Sequence, residues 1–198
     1  LDSQLINDTM NLQFNVPNMT MSKQNFTAND IRIRGIGAGA IGPAGDTGVG
    51  IHINGMYQTS SRIFEAQFFD TERVEVLRGP QGTLYGRNTT GGAVNVNTIK
   101  PSLGEEASGF LNVRLGNYSY ADFTGAVEAT IVPDVLGVRL SGAVSEADGY
   151  VDNTLLGTDH PQTSSTAGRL SVLWRPSEKT DIHAKVYWAE NDPRQDIA

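Results

Sequence analysis

Chemistry on side chains needs convergent groups, and the residues best able to supply them here do not converge. The three histidines, His52, His160 and His183, are scattered along the chain, and no pair has the spacing of metal ligands. There is no cysteine, which removes disulfides, thiolate zinc sites and a Cys nucleophile while leaving an oxidising compartment open. Serine and aspartate are plentiful but form no nucleophile-elbow pattern. The expectation is a protein that is not an enzyme, with no catalytic residue, no metal and no cofactor. Gly37-Ala38-Gly39-Ala40-Ile41-Gly42 satisfies G-x-G-x-x-G after an extended run. A dinucleotide site needs a helix to start there, and Pro43-Ala44-Gly45-Asp46-Thr47-Gly48 breaks one within a turn. Arg34 and Arg78 stand apart: each follows an apolar run and precedes a glycine, so each guanidinium should emerge where strand meets loop. If enclosed, each needs an anionic partner, since an unpaired buried charge costs several kcal/mol. Solvent, or a nearby carboxylate such as Glu75, is the alternative.

The elements that must position these residues are strands. The chain has 198 residues and a net charge of -7, which makes a broad basic face for nucleic acid a poor fit. Glycine is frequent, at 22 residues, and hydrophobic residues make up only 38%, so the chain is rich in turns and lean in core formers. It starts at Leu1 without a charged segment followed by an apolar one, which suggests a leader already removed or an excised piece. No run approaches 18 apolar residues, which excludes a transmembrane helix but not a membrane β-barrel.

Up to about Pro101, short extended runs (Asp30 to Arg34, Gly50 to Asn54, Arg73 to Leu77, Ala93 to Thr98) alternate with glycine-rich connections. A short helix is expected at Ile63 to Phe69, and the end of another in the first dozen residues. The predicted fold class is mainly β, with an α+β module over residues 1–101. Beyond a boundary near Lys100 to Glu106, the texture changes to five period-2 amphipathic strands over residues 106–198: Gly109 to Leu115, Tyr120 to Ile131, Gly137 to Ser145, Arg169 to Arg175 and Thr180 to Trp188. Val132-Pro133-Asp134 and Pro176 to Lys179 are tight turns, whereas Ala147 to Pro161 is a long polar loop and Gly116 to Ser119 a shorter link on the same side. About eleven residues per strand, tilted by about 45°, rise on the order of 25 Å, the height of a barrel's apolar band. A soluble β-sandwich gives the same alternation. Trp174 and Trp188, on the apolar faces of neighbouring strands and near opposite ends, favour aromatic girdles at two membrane interfaces.

The segment Glu72-Arg73-Val74-Glu75-Val76-Leu77-Arg78-Gly79-Pro80-Gln81-Gly82-Thr83-Leu84-Tyr85-Gly86-Arg87-Asn88-Thr89-Thr90-Gly91-Gly92-Ala93-Val94-Asn95-Val96 resembles the closing segment of the plug domain of TonB-dependent outer-membrane receptors. Ile31-Arg32-Ile33-Arg34-Gly35 resembles that family's "IRG" strand, and Ile51-His52-Ile53-Asn54-Gly55-Met56 its "VDGV"-like strand, with Asn54 where Asp is usual. Val138 to Gly142, Asp148 to Asn153 and Gly168 to Pro176 are similar to the first hairpins of its barrel. Gly35, Gly55, Arg73, Glu75, Gly79, Pro80, Gly82, Leu84, Tyr85, Gly86, Gly91 and Gly92 are accordingly motif residues with a structural part to play.

The resemblance implies TonB-dependent active transport of a scarce solute, most often a ferric siderophore, across the bacterial outer membrane. The implied partners are that ligand, outer-membrane lipid, and TonB with its inner-membrane energising complex, engaging a segment not identifiable here. It also implies that Arg34 and Arg78 pair with acidic residues of the barrel wall as a plug latch. Ligand would meet apical loops bearing Ile36, Ile41, Tyr57 and Arg62, and a barrel loop bearing Tyr150. A plugged barrel of about 22 strands needs on the order of 400 residues, so the chain is expected to be a piece of the whole receptor. The competing class is a non-transporting soluble or surface β-rich ligand-binding module.

Overall fold

The computed structural model describes residues 10–24, 28–37, 47–59, 68–104, 106–148, 151–153, 158–160 and 162–194. It divides into two compact units, Leu1–Ile99 and Lys100–Ala198.

Among the described residues the first element is one 3-10 turn, Met10–Phe14, where the sequence suggested the end of a helix. A hairpin of β1 (Met19–Gln24) and β2 (Ala28–Ile33) follows, with Met19 opposite Ile33 and Met21 opposite Ile31. Those two cross-strand pairs give the hairpin one apolar face, as strand alternation requires. The main sheet holds β3 (Val49–Ile53), β4 (Met56–Tyr57), β5 (Thr71–Arg78) and β6 (Gly92–Thr98) in the order β4-β3-β6-β5, with β3 and β6 parallel and the other pairs antiparallel. β6 has a partner on each edge, and Gly92 to Val96 are all buried. Leu12, Met19, Met21, Ile31, Ile33, Val49, Ile51, Val94 and Val96 form one core, so the hairpin's apolar face closes over the sheet.

The four runs read as strands in the sequence are β2, β3, β5 and β6, shifted by a residue or two. β1 and β4 are additional. Met19 to Gln24 carries little β-branched character and takes its conformation from β2, and β4 is two residues long. Of the segment expected to be a helix, only Phe68 and Phe69 lie within the described residues, in neither helix nor strand. A single helical turn, α1 (Gly82–Tyr85), sits between β5 and β6.

On the exposed β5 edge, Arg73 Nε donates to Glu75 Oε1 at 2.7 Å and Nη1 donates to Glu72 Oε1 at 2.8 Å. Asn95, the register partner of Glu75 on β6, donates through Nδ2 to Oε2 at 3.0 Å. The hydrogen bond from Arg73, then that from Asn95, holds the Glu75 carboxyl below its ordinary value of 4.5.

The second unit is an antiparallel meander of β7 (Ser108–Leu115), β8 (Ala121–Val132), β9 (Leu136–Ala147), β12 (Gln162–Ser177) and β13 (Thr180–Arg194), in the order β13-β12-β9-β8-β7. The connection read as a long polar loop instead folds back as a small hairpin, β10 (Val151–Asn153) with β11 (Thr158–His160). β12 also starts at Gln162 rather than near Arg169. Residues Thr163 to Gly168 pair on both sides while offering no apolar alternation to read. The β12–β13 register shifts between Trp174 and Ser177, at Pro176, which has no N–H for the ladder.

The faces of this sheet are inverted relative to a water-soluble protein. Phe123, Val127, Ile131, Leu140, Val144, Leu170, Trp174, Ile182, Val186 and Trp188 are 38% to 68% exposed, whereas Asp122, Thr124, Ala126, Arg139, Ser141, Ala143, Ser145, Arg169 and Ser171 are at most 8% exposed. Asp122 and Arg139 are each matched across strands. Arg114 sits opposite Asp122 and bonds it at 3.0 Å; Glu128 sits opposite Arg139, which donates to it at 2.8 Å. Ser108 adds a bond to Glu128 at 3.1 Å, and the Arg139 guanidinium lies 6.0 Å from the Phe110 ring centroid.

Two outcomes are expected. Because the Glu75 pKa is depressed in the fold, its stabilisation is present above the unfolded value and lost as pH falls through the lower folded value. Hydrogen-exchange protection of β5 and β6 in the full-length protein should therefore fall on acidification, and Glu75→Gln should abolish that dependence. Separately, Glu128→Ala leaves Arg139 buried without that carboxylate and should lower unfolding stability in lipid vesicles by about 3 kcal/mol. Adding Arg139→Met should restore most of the loss, as read by urea titration.

Candidate functional site

The motif residues of the first unit meet at turns, and the backbone of each turn explains its residues. Arg34 and Gly35 have φ of 54° and 79° and join β2 to Ile36: Ile33 and Ile36 exchange two backbone hydrogen bonds of 3.0 Å each. This is the primed hairpin geometry, in which both central residues adopt positive φ and glycine carries the second without strain. The Arg34 N–H donates to the Asn18 carbonyl at 2.8 Å, fixing the turn against the start of β1. The exposed Arg34 side chain emerges where strand ends, as its sequence context suggested.

The Arg78 to Gly92 segment is pinned at both ends. Gly79 N–H donates to Gly91 O at 2.9 Å, Gln81 N–H to Thr89 O at 2.9 Å, and Gly91 N–H to Gly48 O at 2.8 Å. Within it, Pro80 is exposed, α1 closes with the Gly86 N–H on Gly82 O at 3.1 Å, and the buried Thr89 hydroxyl donates to Gly86 O at 2.7 Å. Gly91 is a close-approach residue: a Cβ there would lie 2.8 Å from Ile36 O. Gly82 has open space around it, so no steric demand explains a glycine at that position. The first and last motifs thus meet through Ile36 and Gly91. They also meet at Arg34, whose Nη1 lies 4.0 Å from where a Gly79 Cβ would be.

Arg34 and Arg78 are therefore exposed cations on turns that approach each other at Gly79. Among the described residues of that unit neither is ion-paired, and Glu75, the local partner considered from sequence, is held by Arg73 and Asn95.

Sequence reading missed a cluster built on His52. This histidine is 3% exposed, with its ring 5.0 Å from Tyr85 and 5.5 Å from Tyr57, both edge-on. Asn88 Nδ2 donates to the Tyr57 hydroxyl at 2.9 Å. One imidazole thereby ties the β4 strand to the helical turn of the long motif, and exposed Met56 and Leu84 flank the two tyrosines in sequence. The available signal was a polar residue between Ile51 and Ile53 in an otherwise apolar strand. Of the residues expected to face ligand, Ile36 is 45% exposed and Tyr57 half-buried; Ile41, Arg62 and Tyr150 lie outside the described residues. Among the described residues no group of three His, Cys, Asp or Glu could hold a metal ion.

Comparison with known proteins gives the same kind of molecule. The family model of the TonB-dependent receptor plug domain matches residues 1–93. The pesticin receptor of Yersinia pestis is 43% identical over 53 residues, 27% of this chain and 8% of the receptor. The ferrioxamine receptor of Yersinia enterocolitica is 28% identical over 113 residues, 56% of this chain and 14% of the receptor. Among solved structures, the ferric yersiniabactin uptake receptor of Yersinia pestis superimposes with a TM-score of 0.78 at 22% identity, covering 90% of this chain and 28% of that one. The pyoverdine outer-membrane receptor of Pseudomonas aeruginosa gives 0.75 at 16% identity, covering 94% and 25%. The chain thus spans under a third of the length of these relatives. With the plug model covering the turns that join Arg34, Gly79 and Gly91, and with an apolar-out meander following it, residues 1–93 match the plug-domain family of TonB-dependent receptors and the chain as a whole is similar in fold to such receptors.

Proposed function

We propose that residues 1–101 are the plug and residues 106–198 the first wall strands of a receptor that takes up a scarce solute, a ferric siderophore, by TonB-dependent active transport. The observation that carries this reading is the inverted burial of the second unit. A sheet that exposes ten large apolar side chains on one face while burying Asp122, Arg139 and Arg169 on the other suits lipid outside and a polar interior, and is costly in water. This argues against the soluble binding module. The siderophore class is supported by relatives named for yersiniabactin, ferrioxamine and pyoverdine.

In this reading the wall contacts outer-membrane lipid, and TonB with its inner-membrane energising complex draws on a segment of the receptor not identified in this chain. Ligand meets the loops bearing Ile36, Ile41, Tyr57 and Arg62, with Tyr150 on the wall side, and no residue has a catalytic part. Arg34 and Arg78 act as the latch, pairing with acidic residues of the wall. Their exposure, and the lack of an ion pair to either among the described residues of the first unit, support that assignment, because a cation exposed on one body is available to another.

Radiolabelled ferric yersiniabactin, ferrioxamine and ferripyoverdine uptake, in cells with and without the gene, is expected to show gene-dependent accumulation of at least one. Equal uptake of all three in both strains would sink the siderophore assignment. In the intact receptor, the Arg34→Ala, Arg78→Ala double variant should make the plug more protease-sensitive and slow uptake several-fold. Unchanged proteolysis and transport would remove the latch.

A further inference from the structure

The turn between β3 and β4 does more than reverse the chain. Asn54 and Gly55 have φ of 51° and 81°, the same primed geometry as Arg34-Gly35. The Asn54 N–H donates to Val96 O at 2.9 Å, and its side-chain Oδ1 accepts two bonds of 3.0 Å each from Thr98, one from the backbone N–H and one from Oγ1. On the other side of the same strand, Ile99 N–H donates to Asp70 O at 3.2 Å. These four bonds grip the last residues of β6 at the point where the first unit ends.

We propose that Asn54 is a positioning residue: acting through Thr98, it fixes the direction in which the chain leaves the plug sheet. Two demands fall on this one residue. Its backbone must sit in the left-handed region, which glycine, asparagine and aspartate tolerate. Its side chain must offer a short acceptor oxygen, which asparagine and aspartate have, glycine lacks, and serine or glutamine supply only on a backbone that resists positive φ. Only asparagine and aspartate meet both. That intersection accounts for Asn54 standing where the family pattern has Asp: an acceptor oxygen is required there, and a negative charge is not. Among the described residues, Asn88 likewise combines positive φ with a side-chain bond to another strand, donating to Tyr57 on β4, whereas Asn54 accepts two bonds from Thr98.

Hydrogen exchange resolved to single amides, on the full-length receptor in detergent, tests it. Asn54→Asp should leave exchange at Thr98 and Ile99 within about twofold of the parent. Asn54→Gly keeps the turn but removes the acceptor and should speed exchange roughly tenfold at Thr98, and several-fold at Ile99 as well. Ile99 bonds Asp70 rather than Asn54, so its response separates positioning of the chain from loss of one local bond. Thr98→Val, which keeps Asn54 and removes one of its two donors, should give an intermediate acceleration and serves if Asn54→Gly fails to fold. Parent-like exchange at Thr98 in both Asn54→Gly and Thr98→Val, acceleration confined to Thr98 in Asn54→Gly, or loss of protection in Asn54→Asp would each overturn the proposal.

Discussion

A guanidinium taken out of water needs a carboxylate within reach, and the wall strands set two such pairs directly opposite one another across the ladder. Arg114 faces Asp122 and Arg139 faces Glu128 as direct register partners, so the pairing that closes the backbone ladder also closes the ion pairs. Sliding β8 by a single residue would separate both pairs and turn Phe123 and Val127 inward with the polar residues outward. Register, face and charge balance are therefore one constraint. The bulge at Pro176 absorbs the missing donor near the end of β12, where the ladder is about to turn, and leaves the register of the longer stretch intact.

In the first unit the corresponding constraint is the backbone of β6. Gripped by β3 and β5 along its length and by Asn54 and Asp70 at its end, this strand is the axis about which the motif loops are placed. The β1–β2 hairpin shares its core but not its ladder, joining the sheet through side chains such as Ile33, which is fully buried. Gly91 brings the two sheets into contact, because only a residue without Cβ admits the Ile36 carbonyl so closely. The result places two exposed cations, Arg34 and Arg78, near a cluster of closely packed turns. It also sets the Tyr57 and Tyr85 rings against a buried imidazole.

Much of the fold was legible. The alternation in residues 109–188 gave five strands in order and the side to which each apolar face belongs. The glycine-flanked arginines marked strand ends. What alternation could not supply was the medium on each side, since a sandwich and a membrane wall have the same period. It also could not supply strands without a pattern, such as Met19 to Gln24 and the start of β12, whose conformation comes from a partner's free backbone groups. Nor could it find the hairpin at Val151 to His160, read as loop because its polarity is continuous.

The residues themselves determined which positions can turn, which alternate and which carry charge, because those properties reside in single side chains and their near neighbours. Only the tertiary structure decided who faces whom. Glu75 goes to Arg73 and Asn95 rather than to Arg78, His52 joins two tyrosines from different segments, and Asn54 reaches Thr98, 44 positions away. Such pairings depend on strand order and register, which are set cooperatively by the whole sheet, so no local window of sequence contains them.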